Sequence, residues 1–360
     1  MKAAVLKSFG SPLVIEAVPD PELGTGEVIV DVAASRVLNY ANEVFSGQRR
    51  YLLDVPVVPG PGAIGRLRAI GPDATHLAIG DWVYCDPTVR SRDDAVNPDI
   101  TLQGWSARGD GGLRLQKYFR HGSWAEQMRV PTENAKPIGS LNKTDAAAWC
   151  AIGTYLVPYG GFLAARLQAG ETVLISGATG GFGSAAVAVA LAMGAGCVVA
   201  TGRSEQALAE LTRRFGSTRL RTVRMQGDGQ LDRRSIMNAA PRPIDCVLDI
   251  LPPMASAAQA QTAIMTVRPY GRAVLMGGVG MLGGTGLELP YDWIMRSCIT
   301  IHGQWMYPPQ ATSGIVGLIR SGLLDLNAFQ ITAFDLDHAN DAVAHAAANA
   351  GAFKMTVIQP

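Results

Sequence analysis

The stretch that most constrains the fold runs from Glu171 to Ser204, ETVLISGATGGFGSAAVAVALAMGAGCVVATGRS. Thr172 to Ile175 is a short apolar, β-branched run bounded by glycine, the pattern of a buried strand. A turn rich in glycine follows, with Gly177, Gly180, Gly181 and Gly183. Ser184 to Met193 continues without a breaker, long enough for a helix. Gly194 and Gly196 close it, and Cys197 to Thr201 reads as a second buried strand. Strand, turn, helix and strand make one βαβ unit, whose right-handed crossover commits the surrounding sheet to parallel strands.

The turn also predicts a ligand class. A helix N-terminus presents unpaired N–H groups and the positive end of the helix dipole, and both attract a phosphate. Side chains at the turn would hold a diphosphate away, and glycine does not. The fingerprint G-x-G-x-x-G is met here with Ala178 in the first place and Gly180 and Gly183 in the other two. Its position after a strand and before a helix gives the motif its meaning. It predicts a dinucleotide held along Gly180, Gly181, Phe182 and Gly183; a tight turn in another kind of α/β protein is the competing reading. NAD-binding sheets place an acid at the end of the second strand for the ribose 2′-hydroxyl. Here that strand ends Thr201-Gly202-Arg203-Ser204, with no acid. Arg203 offers two N–H donors to a 2′-phosphate and Ser204 a hydroxyl, so the expected cofactor is NADPH. Against this stands a solvated arginine beside a serine that caps the next helix.

A chain of 360 residues has room for two domains, and with 48% hydrophobic and 17% charged residues and a net charge of +1 it is globular, with no basic bias toward nucleic acid. The opening MKAAVLKSFG lacks the apolar run of a signal peptide, and no apolar run reaches a membrane span. The expected place is the cytoplasm, with no membrane partner. Cys85, Cys150, Cys197, Cys246 and Cys298 are scattered without a C-x-x-C pair, so neither a disulfide framework nor a zinc ribbon is expected.

Residues 1–84 read as short strands broken by glycine and proline: Ala3 to Leu6, Val28 to Val32, Ile64 to Ile70 and Trp82 to Tyr84, with a Pro–Gly corner from Pro56 to Gly62. The segments GEVIVDVAAS, VPVVPGPGAIGRLRAIG, LAIGDWVY and GSWAEQMRVP resemble the GroES-like domain of medium-chain dehydrogenases/reductases. With GATGGFGSAA downstream, the chain is most similar to their zinc-independent branch, the quinone oxidoreductases and the enone or alkenal double-bond reductases. The resemblance covers nearly the full length and is specific to the superfamily rather than to a substrate. It implies an α/β protein with a GroES-like β-barrel domain over residues 1–150 and 326–360, and a Rossmann doubly wound parallel sheet over 151–325.

The resemblance also carries the metal question. Zinc-dependent members have a cysteine where Leu38 stands, and a G-H-E motif where Gly60-Pro61-Gly62 stands. The third ligand position falls near Cys150. One thiolate cannot hold a catalytic zinc, which needs about three protein ligands, so no metal is expected and Cys150 reads as a small buried residue. Asp86 to His121 departs from both branches as a long polar insertion with Trp105, Tyr118 and Phe119 as apolar anchors; a packed lid and a solvated lobe or subunit contact are both open.

Further on, Thr144 to Leu156 reads as a helix, and Thr154 matches the position that touches the nicotinamide in relatives. Glu205 to Arg242 reads as helices and connections, and Cys246 to Ile250 as the fourth strand. Leu251 opens its exit loop, where relatives contact the cofactor. Arg272 to Met276 is the next strand and ends in Gly277, Gly278 and Val279, where glycine lets a backbone approach the nicotinamide carboxamide or simply makes an αβ turn. Cys298 to Gln304 is the last strand of this sheet, an edge that invites a homodimer. Asp337 to Ala348 reads as a helix and Lys354 to Gln359 as a strand, and Lys354 matches a basic residue near the cofactor in relatives.

Without a Lewis acid, hydride must go to an acceptor that is already electrophilic, a quinone or an α,β-unsaturated carbonyl. A hydrogen-bond donor then holds the carbonyl oxygen as charge develops. Tyr40 aligns with the tyrosine of the alkenal reductases. Tyr51 lies close to the tyrosine position of the enoyl thioester reductases, and Asn39 can orient the carbonyl or a ribose hydroxyl. A zinc-free alcohol or ketone dehydrogenase of the same fold, and an NADPH-binding sensor or structural protein without turnover, remain as alternatives.

Overall fold

The computed structural model describes all 360 residues. The chain divides into two compact units. One comprises Met1–Gly153, Leu326–Ala350 and Lys354–Pro360, and the other Thr154–Asp325 with Gly351–Phe353.

The first unit is built on a seven-stranded sheet. Its path runs Ala135–Pro137, Trp82–Cys85, Ala63–Ile70, Glu27–Val37, Lys354–Gln359 and Gln330–Asp335, with Gln127–Pro131 also paired to Glu27–Val37. The long strand Glu27–Val37 carries the unit. Register shifts at Ile29/Val30 and at Val32/Ala34 interrupt its antiparallel pairing with Ala63–Ile70, and such bulges bend a strand. Val28, Val30 and Val32 pack with Leu67, Val83 and Met128 in one apolar cluster. The strand Gln330–Asp335, which the sequence reading had not found, runs parallel to Lys354–Gln359. The helix Ala339–Ala348 connects them.

The insertion is ordered structure in its own right. Thr88–Arg90, Ile100–Leu102 and Ser106–Ala107 form a three-stranded sheet, and Gly109–Tyr118 is a helix packed on its middle strand. Trp105 and Phe119 are buried and anchor it, whereas Tyr118 is exposed, with the Arg129 guanidinium 4.5 Å from its ring centroid.

The second unit holds a six-stranded sheet, parallel throughout. Its strands in chain order are Thr172–Ser176, Cys197–Gly202, Leu220–Arg224, Ile244–Asp249, Val267–Leu275 and Thr300–Gly303. Their spatial order is third, second, first, fourth, fifth, sixth, which is the doubly wound dinucleotide-binding order. All five residues of Thr172–Ser176 are buried, as a central parallel strand covered on both faces must be. Caps start the crossover helices where the sequence supplies them: Ser204 before Glu205–Phe215, Asp228 before Gly229–Ala239, and Ser256 with Gln259 as a reciprocal capping box before Ala257–Ile264.

Three further elements differ from the sequence reading. Leu220–Arg224 is a strand inside the arginine-rich stretch. Only Leu220 and Val223 are buried there, because the third strand lies at the sheet edge and needs little apolar surface. The helix expected over Thr144–Leu156 breaks at Cys150, where Cys150 N–H reaches Ala147 O and Gly153 N–H reaches Cys150 O. These i to i+3 bonds tighten the chain before the helix Ile152–Ala165 begins. The last strand starts at Thr300 rather than Cys298, since Cys298 has φ 51° and belongs to the preceding turn. The helical run Lys143–Ala165 is long and apolar enough to cross a bilayer, but 67% of that window is buried within the protein, as in a core helix.

Candidate functional site

In the second unit the candidate cofactor residues gather where the parallel strands end. The first strand leads into Gly177, whose φ of 90° only glycine adopts without strain. Gly180 caps the helix Gly181–Ala192 with no side-chain bond, so the first helical N–H groups are left to a ligand or water. A Cβ on Gly183 would lie 2.0 Å from the Gly177 carbonyl oxygen, so this glycine is required for the helix to pack against the strand exit. Phe182 lies in the first turn and is half-buried. Ser184, one turn into the helix, accepts from Phe353 N–H at 3.2 Å.

The second strand ends beside this turn. Thr201 is buried, and its hydroxyl donates to Ile175 O at 3.1 Å, so that side chain serves the sheet. A Cβ on Gly202 would fall 2.3 Å from Thr179 Cγ2 and 2.9 Å from its Oγ1. The place of an acid is therefore sterically filled by Thr179. Arg203 is exposed. Ser204 Oγ accepts from Ala207 N–H at 3.2 Å, which makes it the helix cap of the competing reading. Parallel pairing sets Arg224 directly opposite Gly202, where it pairs with Glu205 on the surface. This second cation at the same corner was missed, because its strand was not recognised.

The fourth strand ends at Asp249, a carboxylate that is 3% exposed. Its Oδ1 has no hydrogen-bond partner, and burial pushes its pKa up to about 6 against the opposing hydrogen bond from Ser176. Leu251 and Val279 are partly buried against the apolar core of the sheet. A Cβ on Gly277 would meet the Leu251 backbone at 2.7 Å, and one on Gly278 would meet Pro253 at 2.7 Å. Gly278 N–H also donates to Leu251 O at 2.8 Å. Packing of the two exit loops thus accounts for these glycines. Thr154 is 8% exposed near the start of Ile152–Ala165. Lys354 belongs to the first unit, where it opens the last strand with its side chain exposed.

In the first unit, Tyr40 and Tyr51 come together edge to face with ring centroids 6.5 Å apart. The Arg49 guanidinium lies 4.0 Å from the Tyr40 ring centroid and is held by Glu43 at 2.6 Å. Trp105 brings the insertion into the same cluster, 5.9 Å from Tyr40. Burial raises the Tyr40 pKa and the Tyr51 hydroxyl adds to it, while Arg36 and Arg49 oppose. The phenol therefore keeps its proton across the working pH range. Tyr40 sits at the start of the helix Ala41–Phe45, and Asn39 beside it is exposed.

The positions that carry zinc ligands in the resemblance also lie in this unit. Leu38 is a buried apolar side chain. Gly60 and Gly62 have φ of 115° and 84°. A Cβ at Gly62 would lie 2.8 Å from the Cys85 carbonyl oxygen, so no larger residue fits there. Ser35 Oγ lies 3.1 Å from the Gly62 carbonyl oxygen, to which it donates, and 2.6 Å from Ser123 Oγ, which pins this corner to the long strand. The Cys150 thiol is pushed up to about 12 by burial, with the charge of Arg36 opposing. No three His, Cys, Asp or Glu side chains converge to hold a metal ion.

Residues 24–140 match the family described as the alcohol dehydrogenase GroES-like domain, and residues 181–321 match the family described as zinc-binding dehydrogenase. An alcohol dehydrogenase from Moraxella sp. (strain TAE123) is 31% identical over 54% of this chain and 56% of its own length. An acryloyl-coenzyme A reductase from Metallosphaera sedula is 30% identical over 58% of this chain and 60% of its own. The chain therefore spans little more than half the length of these curated relatives. The solved thermostable alcohol dehydrogenase of Pyrobaculum aerophilum superposes with a TM-score of 0.75 over 100% of this chain and 99% of its own. At 23% identity that likeness speaks for the fold alone.

Proposed function

The chain belongs to the medium-chain dehydrogenase/reductase superfamily, and on that footing we propose that it is a zinc-independent, NADPH-dependent oxidoreductase that reduces a quinone or an α,β-unsaturated carbonyl. The observation that carries this reading is the corner at Gly62. With Leu38, Pro61 and a glycine that tolerates no side chain, the residues do not fit a catalytic zinc, which needs about three protein ligands. The carbonyl must then be activated by hydrogen bonds and fixed charge. The acryloyl-coenzyme A reductase supports an unsaturated acceptor by its name.

The second unit fits a dinucleotide. The glycine-capped start of Gly181–Ala192 would take the diphosphate, and Arg203 with Arg224 the 2′-phosphate, since Thr179 leaves no room for an acid at Gly202. When bound, the reduced nicotinamide supplies hydride. Tyr40 would hold a proton at its Oη against the acceptor's oxygen, with burial keeping it protonated. Arg49, fixed by Glu43, lies against its ring. Tyr51 stands ready as the second phenol of the cluster, and Asn39 as an exposed amide beside it.

A second reading, interconversion of an alcohol and a ketone, is favoured by the names of the alcohol dehydrogenase relatives. The test is NADPH oxidation across quinones, enones, enals and simple ketones, with the reverse assay on alcohols. Turnover confined to quinones or conjugated carbonyls supports the first reading, and turnover of simple ketones and alcohols supports the second. Cofactor binding without turnover of any of them would leave a sensor or structural protein.

The protein would act as a cytoplasmic homodimer. Thr300–Gly303 is the unpaired edge of the parallel sheet, and Tyr291, Met295 and Trp305 expose apolar surface on the segments flanking it. Light scattering at micromolar concentration should give twice the chain mass, and a monomer would overturn the assignment.

A further inference from the structure

The corner proposed for the 2′-phosphate does hold an acid, brought in by the helix rather than by the strand end. Gly202 and Arg224 are register partners on neighbouring parallel strands. Met225 N–H donates to Gly202 O at 2.8 Å and fixes that register where the strands end. Partners in register project to the same face of a sheet, so Arg224 leaves the sheet on the face where a Cβ of Gly202 would meet Thr179. Glu205 reaches the same place by another route. Ser204 Oγ caps the helix by accepting from Ala207 N–H, which makes Glu205 the first helical residue, just past Gly202. Its Oε1 lies 2.5 Å from Arg224 Nη1. Arg203, between Gly202 and Ser204, is exposed. All of these residues belong to the parallel-sheet unit.

The pair is open to water, with the Arg224 side chain 59% and the Glu205 side chain 71% exposed. Exposed ion pairs favour contact by about fivefold at most. A phosphate monoester competes well with a single carboxylate for a guanidinium, since it brings nearly two negative charges and three acceptor oxygens. Glu205 therefore holds Arg224 in the free protein, yet weakly enough to release it. Its own charge also opposes a phosphate held at Arg224.

We propose that Glu205 is a built-in competitor for the 2′-phosphate: its carboxylate occupies Arg224 in the free protein and gives way when a 2′-phosphorylated dinucleotide binds. The role rests on the NADPH reading and makes Glu205 a specificity-determining residue. Arg203 offers the first cation, and Arg224 the second once Glu205 lets it go. NADH carries a hydroxyl in place of the phosphate and leaves the Glu205–Arg224 pair intact. Preference for NADPH is thus smaller than two free arginines would give.

The test is calorimetric and needs no turnover. Binding of NADPH, NADH and 2′-AMP is measured on wild type, Glu205→Gln, Arg224→Gln and the double variant. Glutamine keeps the side-chain length and leaves the Ser204 cap in place, so the fold is retained. Glu205→Gln should tighten NADPH and 2′-AMP by about three- to tenfold and leave NADH unchanged. In the Arg224→Gln background the same change should give less than about threefold, because the competitor has lost its target. A gain below about threefold with Arg224 present would overturn the proposal and leave Glu205 a helix-start acid only. A gain of threefold or more without Arg224 would overturn it as a general charge effect. Looser NADH on Glu205→Gln would also overturn it, and would make Glu205 an acceptor for the ribose 2′-hydroxyl. The NADPH reading is decided separately, on wild type. If wild type binds NADH as tightly as NADPH while Glu205→Gln still tightens 2′-AMP through Arg224, the cofactor preference falls and the competitor stands. If wild type prefers NADPH and Glu205→Gln changes nothing, the preference stands and the competitor falls.

Discussion

Replacing Gly202 by aspartate is the natural way to turn this cofactor corner toward NADH, and the structure predicts that it fails alone. An aspartate there would accept from a ribose 2′-hydroxyl and repel a 2′-phosphate. Its Cβ, however, would sit 2.3 Å from Thr179 Cγ2 and 2.9 Å from Oγ1. Overpacking of this kind costs about 1–3 kcal/mol. At roughly 2–4 °C per kcal/mol for a domain of this size, the single variant should melt about 2–12 °C below wild type. Thr179→Ala removes both clashing atoms and leaves Thr179 Cβ, 3.2 Å away, as the nearest contact. The double variant should therefore recover most of the lost stability and reverse the cofactor preference. The single aspartate should lose NADPH without a matching gain in NADH. The assay is kcat/KM for both cofactors and the melting temperature on all four members of the cycle. Non-additivity is the signature, because coupled neighbours depart from the sum of single effects. If Gly202→Asp alone melts like wild type and accepts NADH as well as the double variant, Thr179 is not what excludes the acid.

Two further outcomes follow from Tyr40 and Asp249. Tyr40→Phe should lower kcat by about 10²-fold with NADPH affinity unchanged, the loss expected of a proton donor; an unaltered kcat would move the role to Tyr51. Asp249 has a folded pKa raised from 3.8 to about 6 by burial. A carboxylate raised on folding favours the folded state only at low pH. Its neutral form costs nothing below pH 3.8, the penalty grows as pH rises through the interval, and above pH 6 it is constant at about 3 kcal/mol. Asp249→Asn should therefore raise the apo melting temperature at pH 8, with the gain fading between pH 6 and pH 4. An equal gain at pH 4 would contradict this cause.

The parallel-sheet half was legible because its signals are local. The apolar run at Thr172, the glycines of the turn and the caps at Ser204 and Asp228 each fix their own few residues. What escaped was set by long-range pairing. Leu220–Arg224 looks like a polar linker until the second strand gives it a partner, and Gln330–Asp335 is a strand only because Lys354–Gln359 lies beside it. The site followed the same rule. Gly202 and Arg203 could be read in line, whereas Thr179 and Arg224 enter that corner from other segments. The gathering of Tyr40, Tyr51, Arg49 and Trp105 joins residues that no spacing rule connects.

Hydride transfer without a metal is tested most directly by the metal content of protein that is turning over. Purified enzyme reducing a conjugated carbonyl or quinone with NADPH should contain far less than one zinc per chain by elemental analysis. Its rate should also be unchanged after prolonged treatment with a chelator. One zinc per chain, with activity lost on chelation and restored by added zinc, would make this a zinc enzyme and refute metal-free hydride transfer.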